Sequence, residues 1–100
     1  MRLVYSPEFD TKLEGISAWI QSYSGDSSSA TKVTKVLLKN CSMLASFPRL
    51  GFEIRKDGFS TGLRALIVGN YIVTYTINAD QIEVTNLIDS RTEEFQSLID

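Results

Sequence analysis

Histidine is absent from this sequence, cysteine occurs once and proline only twice. Without histidine there is no Ser/His/Asp or Cys/His relay, and the commonest metal ligand is missing. The lone thiol, Cys41, can form no intramolecular disulfide and offers no paired-cysteine metal spacing. Its setting, LLKNCSML, reads as a buried core thiol on a helix. The expectation is therefore no cofactor and no metal. No apolar run approaches the ~20 residues of a membrane span, and MRLVYSPEFD does not read as a leader. A soluble, cytoplasmic chain without a membrane partner is the working expectation. A basic excess is lacking too: 10 Lys and Arg face 12 Asp and Glu, for a net charge of −2. Phosphate affinity comes largely from Lys and Arg, so this balance argues against direct DNA or RNA binding.

What is present suits one globular domain over residues 1–100. A hydrophobic content of 43% supports a core at this length, and 22% charged residues sets the chain apart from disordered sequences. RLVY (2–5) is a short strand candidate. Ser6-Pro7-Glu8 reads as a helix start, with Ser6 as N-cap and Pro7 at the first helical position. Phe9, Leu13, Ile16, Ile20 and Tyr23, flanked by Trp19, make one helical stripe that ends at the polar SYSGDSSS. A second helix, starting among Ser27 to Ser29, carries Ala30, Val33, Leu37, Cys41 and Leu44 and is expected to run to Phe47-Pro48. Lys32, Lys35 and Lys39 share its other face, where a solvated ridge is the ordinary reading. The two helices should form an antiparallel hairpin.

The glycine-punctuated RLGFEIRKDGFSTG connects this hairpin to three strands and has room for a short strand at Phe52 to Arg55. The strands are read at Leu63–Val68, Tyr71–Ile77 and Ile82–Ile88, joined by Gly69-Asn70 and Ala79-Asp80. Two-residue turns pair Val68 with Tyr71, Leu66 with Val73 and Arg64 with Tyr75. They also pair Ile77 with Ile82, Tyr75 with Val84, Val73 with Asn86 and Tyr71 with Ile88. All of these fall on the face that should carry the helices, which sets Arg64 at the core rim beside Tyr75. The opposite face gathers Ile67, Ile72 and Leu87. Two readings compete for that cluster: a partner surface, or a face covered by the C-terminal segment. RTEEFQSLID offers Thr92 as a cap for a short C-terminal helix, with Phe95, Leu98 and Ile99 as its apolar side. The class is α+β, β-α-α-β-β-β, with a helix hairpin packed on one face of a mainly antiparallel sheet. Trp19, Tyr71 and Tyr75 read as core, and Arg49 as a cap for carbonyls at the end of the second helix.

LASFPRLG, LRALIVGNYIVTYTI and IEVTNLIDSR, in this order and spacing, resemble the RelE/ParE superfamily of toxins from bacterial toxin–antitoxin modules. The matching positions are Leu44, Pro48, Gly51, Arg64, Gly69, Tyr71, Tyr75 and Arg91, across nearly the whole chain. The resemblance is to the ParE-like branch. It implies a growth-inhibiting toxin that acts by protein binding, with DNA gyrase as target, a cognate antitoxin as partner and a role in plasmid stabilization. The RelE-like branch implies instead a ribosome-dependent mRNA endoribonuclease, which would here use Arg55, Lys56, Arg64 and Arg91. Two departures weigh against that branch: Ile72 stands where a basic residue commonly follows the hairpin tyrosine, and Phe95 cannot transfer a proton. A non-toxic interaction module of the same fold is the third reading. For the binding reading, Arg91, Phe95, Ile67, Ile72 and Leu87 are the candidate contacts with target or antitoxin. Arg64 and Tyr75 are the candidate structural anchors.

Overall fold

The computed structural model describes residues 1–99, although the side chain of Ile99, assigned above to an apolar helix side, lies outside the described residues. The chain runs β1 (Arg2–Tyr5), α1 (Pro7–Ser24), α2 (Ser27–Ser42), a 3-10 turn (Met43–Ala45), β2 (Phe52–Lys56), β3 (Phe59–Val68), β4 (Tyr71–Asn78), β5 (Gln81–Asp89) and α3 (Glu93–Ile99). The sheet order is β1-β5-β4-β3-β2, antiparallel except for the β1–β5 pair. This is the α+β class, with α1 and α2 on one face and α3 as the short C-terminal helix.

Local chemistry starts and stops the helices. The Ser6 hydroxyl accepts from the Phe9 N–H at 3.1 Å, and Pro7 fills the first helical position, where a missing N–H costs nothing. Gly25, at φ 67°, closes α1 through its N–H to the Gln21 carbonyl, a left-handed cap that suits glycine. Asp26 then caps α2 by accepting from the Ser28 N–H at 2.9 Å. α2 ends at Ser42 rather than near Phe47-Pro48, because the chain tightens into the 3-10 turn first.

The helix-side core holds Phe9, Leu37, Cys41, Leu44, Val73, Tyr75, Ile82, Val84 and Leu87. Burial pushes the Cys41 thiol up to about 12, so it stays protonated and inert. The expected helical stripe of α1 overshoots this core. Trp19 is 55% exposed and Tyr23 82%, stacked on each other at 5.3 Å. Trp19 is thus not a core residue: periodicity marks a helical face but not how far the sheet beneath it extends.

Two turns and one bulge revise the expected strands. β3 begins at Phe59, four residues before Leu63, because Asp57 (φ 53°) and Gly58 (φ 81°) turn the chain into a β2–β3 hairpin. The β3–β4 register is as expected, with Arg64 opposite Tyr75. In β5 the expected register holds only up to Val84. Tyr75 faces Val84 but Thr74 faces Asn86, which leaves Thr85 as the extra residue of a bulge. Its hydroxyl lies 2.8 Å from that of Thr74, and its carbonyl accepts from Ser6 at 2.8 Å. Beyond the bulge every side chain changes face, so Val73 pairs with Leu87, and Tyr71 with Asp89. The expected Ile67–Ile72–Leu87 cluster therefore does not form. Leu87 lies in the helix-side core, Ile67 is 60% exposed, and Ile72 joins Ile54 and Ala65 under Phe95 and Leu98 of α3.

The loop after α2 is fastened to the sheet centre. The buried Tyr75 hydroxyl donates to the Pro48 carbonyl at 2.8 Å and accepts from the Gly51 N–H at 3.0 Å. Arg64 donates to the Gly51 carbonyl at 2.6 Å, and at 3.4 Å to the Arg49 carbonyl and the Tyr75 hydroxyl. Among the described residues its partners are thus oxygen dipoles and not carboxylates, while the Arg49 side chain caps no carbonyl. A Cβ on Gly51 would lie 2.4 Å from the Ala65 carbonyl oxygen and 2.9 Å from the Tyr75 hydroxyl. Gly51→Ala should therefore destabilise the fold by about 2 kcal/mol or more through overpacking. Tyr75→Phe should cost about 1–3 kcal/mol by leaving a buried N–H and carbonyl unpaired. Urea denaturation checks both, and midpoints unchanged from the parent chain would contradict this reading of the loop.

Candidate functional site

A groove opens between the helix hairpin and the end of the sheet where β3 turns into β4. It has two compartments that share Tyr71. The first, about 250 Å³, lies between α2 (Lys32, Val33, Val36, Leu37) and the turn Val68-Gly69-Asn70-Tyr71. Its walls are aliphatic and aromatic, with Val36 half exposed and with Lys32 and Asn70 at the margin. The second, about 530 Å³, lies between α1 (Thr11, Lys12, Gly15, Ile16, Trp19) and the exit of β5 (Asp89, Arg91, Thr92). Gly15 leaves the helix surface open there, since nothing lies within 4 Å of where its Cβ would be.

Charge in the second compartment is paired. Arg91 grips Asp89 with two bonds, Nε to Oδ1 at 2.9 Å and Nη2 to Oδ2 at 2.7 Å, and its backbone N–H also donates to Oδ1. Hydrogen bonding to Arg91 holds the Asp89 carboxyl below the usual carboxylate range, and the same bonds raise the guanidinium. Burial raises the Tyr71 hydroxyl, Asp89 adds to that and Arg91 opposes it. Lys12 is likewise paired, with Glu94 at 2.6 Å, tying α1 to α3.

The structure brings only one of the sequence-predicted contacts, Arg91, into the groove. Ile72 and Phe95 pack in one cluster on the outer face, Leu87 is core, and Ile67 stands exposed on the outer side. The four basic candidates for a nuclease are not brought together either. Arg64 is spent on loop carbonyls, and Arg55 donates to Glu53 and to the Gly58 carbonyl at the β2–β3 hairpin tip. At ~3.3 Å per residue and ~4.8 Å between strands, Arg55 on β2 and Arg91 beyond β5 are separated by more than about 20 Å of backbone. Sequence reasoning missed Trp19, Lys32, Val36 and Asn70. For Trp19 the available signal was its place on the apolar stripe of α1.

The fold is thus a helix hairpin on one face of a five-stranded sheet, with an apolar groove where β3 turns into β4. The model of the family "ParE toxin of type II toxin-antitoxin system, parDE" matches residues 3–94. The chain belongs to this ParE toxin family. In three dimensions it is similar to a chain of the chromosomal ParDE TA system from P. aeruginosa, with a TM-score of 0.76 and 14% identity over 89% of this chain and 95% of that one. At that identity the likeness speaks for the fold. No curated protein matches the sequence. No helix of the described residues is long and apolar enough to cross a membrane.

The Asp89–Arg91 pair makes a pH prediction with a definite sign. A carboxyl whose folded pKa is depressed adds stability that is present above its unfolded value, roughly 3.9, and is lost as pH falls through the folded value. The Asp89 carboxyl should titrate below the ordinary aspartate range by NMR and return toward it in Arg91→Ala. An unchanged Asp89 titration in that variant would show that the pair does not set it.

Proposed function

We propose that this chain is a toxin that acts by gripping a protein, and that a cognate antitoxin neutralises it by folding a segment into the groove beneath the helix hairpin. The observation that carries this reading is the pair of compartments meeting at Tyr71. One is lined almost wholly by apolar side chains, and the other holds a guanidinium already satisfied by Asp89. Apolar anchors entering such a slot gain burial energy of about 25 cal/mol per Å², whereas phosphate recognition needs convergent free cations. A partly disordered antitoxin segment that orders on binding fits a groove of this shape. DNA gyrase is the proposed target, reached in the cytoplasm, and plasmid stabilization is the proposed benefit to the replicon. The wide separation of Arg55 from Arg91 supports binding over RNA cleavage.

Induction of the chain alone should arrest growth, and co-expression of the neighbouring antitoxin should restore it. With purified components the chain should inhibit gyrase supercoiling and leave mRNA intact during translation. Val36→Glu and Tyr71→Ala should each weaken antitoxin binding by about tenfold or more, as truncation or charging of a central anchor does. Cleaved mRNA that becomes intact with Arg91→Ala would replace this reading with the nuclease one. Growth unaffected in a sensitive host would leave the chain a binding module without toxicity.

A further inference from the structure

β2 is an open edge of the sheet: it pairs with β3 on one side and, among the described residues, with no strand on the other. The irregularity in its ladder belongs to β3. Between the pairs Glu53/Arg64 and Arg55/Ser60, the single residue Ile54 faces Thr61, Gly62 and Leu63. Gly62 takes φ 81° there, and Thr61 Oγ1 donates to the Ile54 carbonyl at 2.7 Å. β2 itself thus keeps a regular alternation. Ile54 is buried in the outer-face cluster, with Phe52 and Lys56 on the same side, and Glu53 and Arg55 lie together on the other at 3.4 Å. This edge also leaves large rings in water, with Phe52 53% and Phe59 76% exposed.

We propose that β2 is a self-association edge, at which a second copy of this chain pairs antiparallel about a two-fold axis through Ile54. The strand F-E-I-R-K is complementary to itself in that register. Glu53 faces Arg55 of the second copy, and Arg55 faces its Glu53. Phe52 faces Lys56 of the second copy. The neighbouring register extends both rows. Glu53 then lies between its own Arg64 and the second copy's Arg55, and Lys56 lies between its own Phe59 and the second copy's Phe52. An edge guarded against pairing carries like charges that would meet across the axis, whereas here each charge meets its opposite. The contact closes as a dimer, because a two-fold pairing occupies the same β2 edge of both copies. A five-residue edge makes a small interface, so the dimer is weak and reversible. Neither compartment of the groove is lined by β2, so this association leaves the groove open.

Sedimentation of the purified chain over a concentration series tests this directly. The parent chain should show a reversible monomer–dimer equilibrium. Glu53→Arg and Arg55→Glu, each alone, should weaken it by about tenfold, since each puts like charges across the axis twice. An equimolar mixture of the two variants should recover parent-like association as a heterodimer. One variant then carries arginine at both positions and the other glutamate at both, so every cross-axis contact again joins opposite charges. Both positions are exposed, and unchanged thermal unfolding of each variant verifies that the fold is intact. A parent chain that stays monomeric, variants that associate as the parent does, or a mixture that fails to recover would each overturn the proposal.

Discussion

The hydroxyl of Tyr75 is the contact on which the architecture turns. A tyrosine in the middle of a sheet brings a large apolar ring into the core and one polar atom that must be satisfied there. Here that atom is satisfied by the Pro48 carbonyl and the Gly51 N–H, so the loop after α2 is bound to the centre of β4. Three sequence features follow from this one contact. Gly51 is required because a Cβ would strike the Ala65 backbone. Pro48 lends a carbonyl from a segment already unable to continue a helix. Arg64, next to the tyrosine in register, closes the arrangement by donating to the Gly51 carbonyl. Fixing this loop fixes the path by which the chain leaves α2 and enters β2.

The groove and the opposite face are linked by the Thr85 bulge. By shifting β5 one residue, it moves Leu87 into the helix-side core and sets Asp89 beside Tyr71. Without the bulge, the Asp89–Arg91 pair would not sit at the groove mouth. The same shift places Asn86 near Glu94 of α3, whose Phe95 and Leu98 cover Ile54, Ala65 and Ile72. One inserted residue therefore decides both what lines the groove and what α3 covers. Each arginine named for a nuclease has its own partner, with Arg55 on β2, Arg64 on β3 and Arg91 beyond β5.

Much of the fold was legible because it rests on local chemistry. Ser6-Pro7 and Gly25 mark the ends of α1, and Gly69-Asn70 fixed the β3–β4 register that puts Arg64 opposite Tyr75. The bulge was not legible, because VTN carries no glycine or other backbone signal; Thr85 is held by hydroxyl bonds that exist only once the strands have met. Leu87 was misplaced for that reason, as a one-residue slip reverses every later face of β5, whereas Ile72 on β4 lies on the outer face as expected. Asp57-Gly58 is a turn signal inside a stretch read mainly as a connection. The site was less legible than the fold. Arg91 was found from the family pattern, but Trp19 and Val36 belong to faces whose exposure depends on where the sheet stops.

Amide hydrogen exchange of the chain, alone and bound to its cognate antitoxin, asks whether partner binding is seated in the groove at Tyr71. Exchange should slow in the α1 and α2 turns around Ile16–Trp19 and Lys32–Leu37 and at Gly69–Tyr71. Little change is expected at the β2–β3 hairpin tip. Protection confined to β2 or α3, with the groove segments exchanging as in the free chain, would contradict a groove-seated partner.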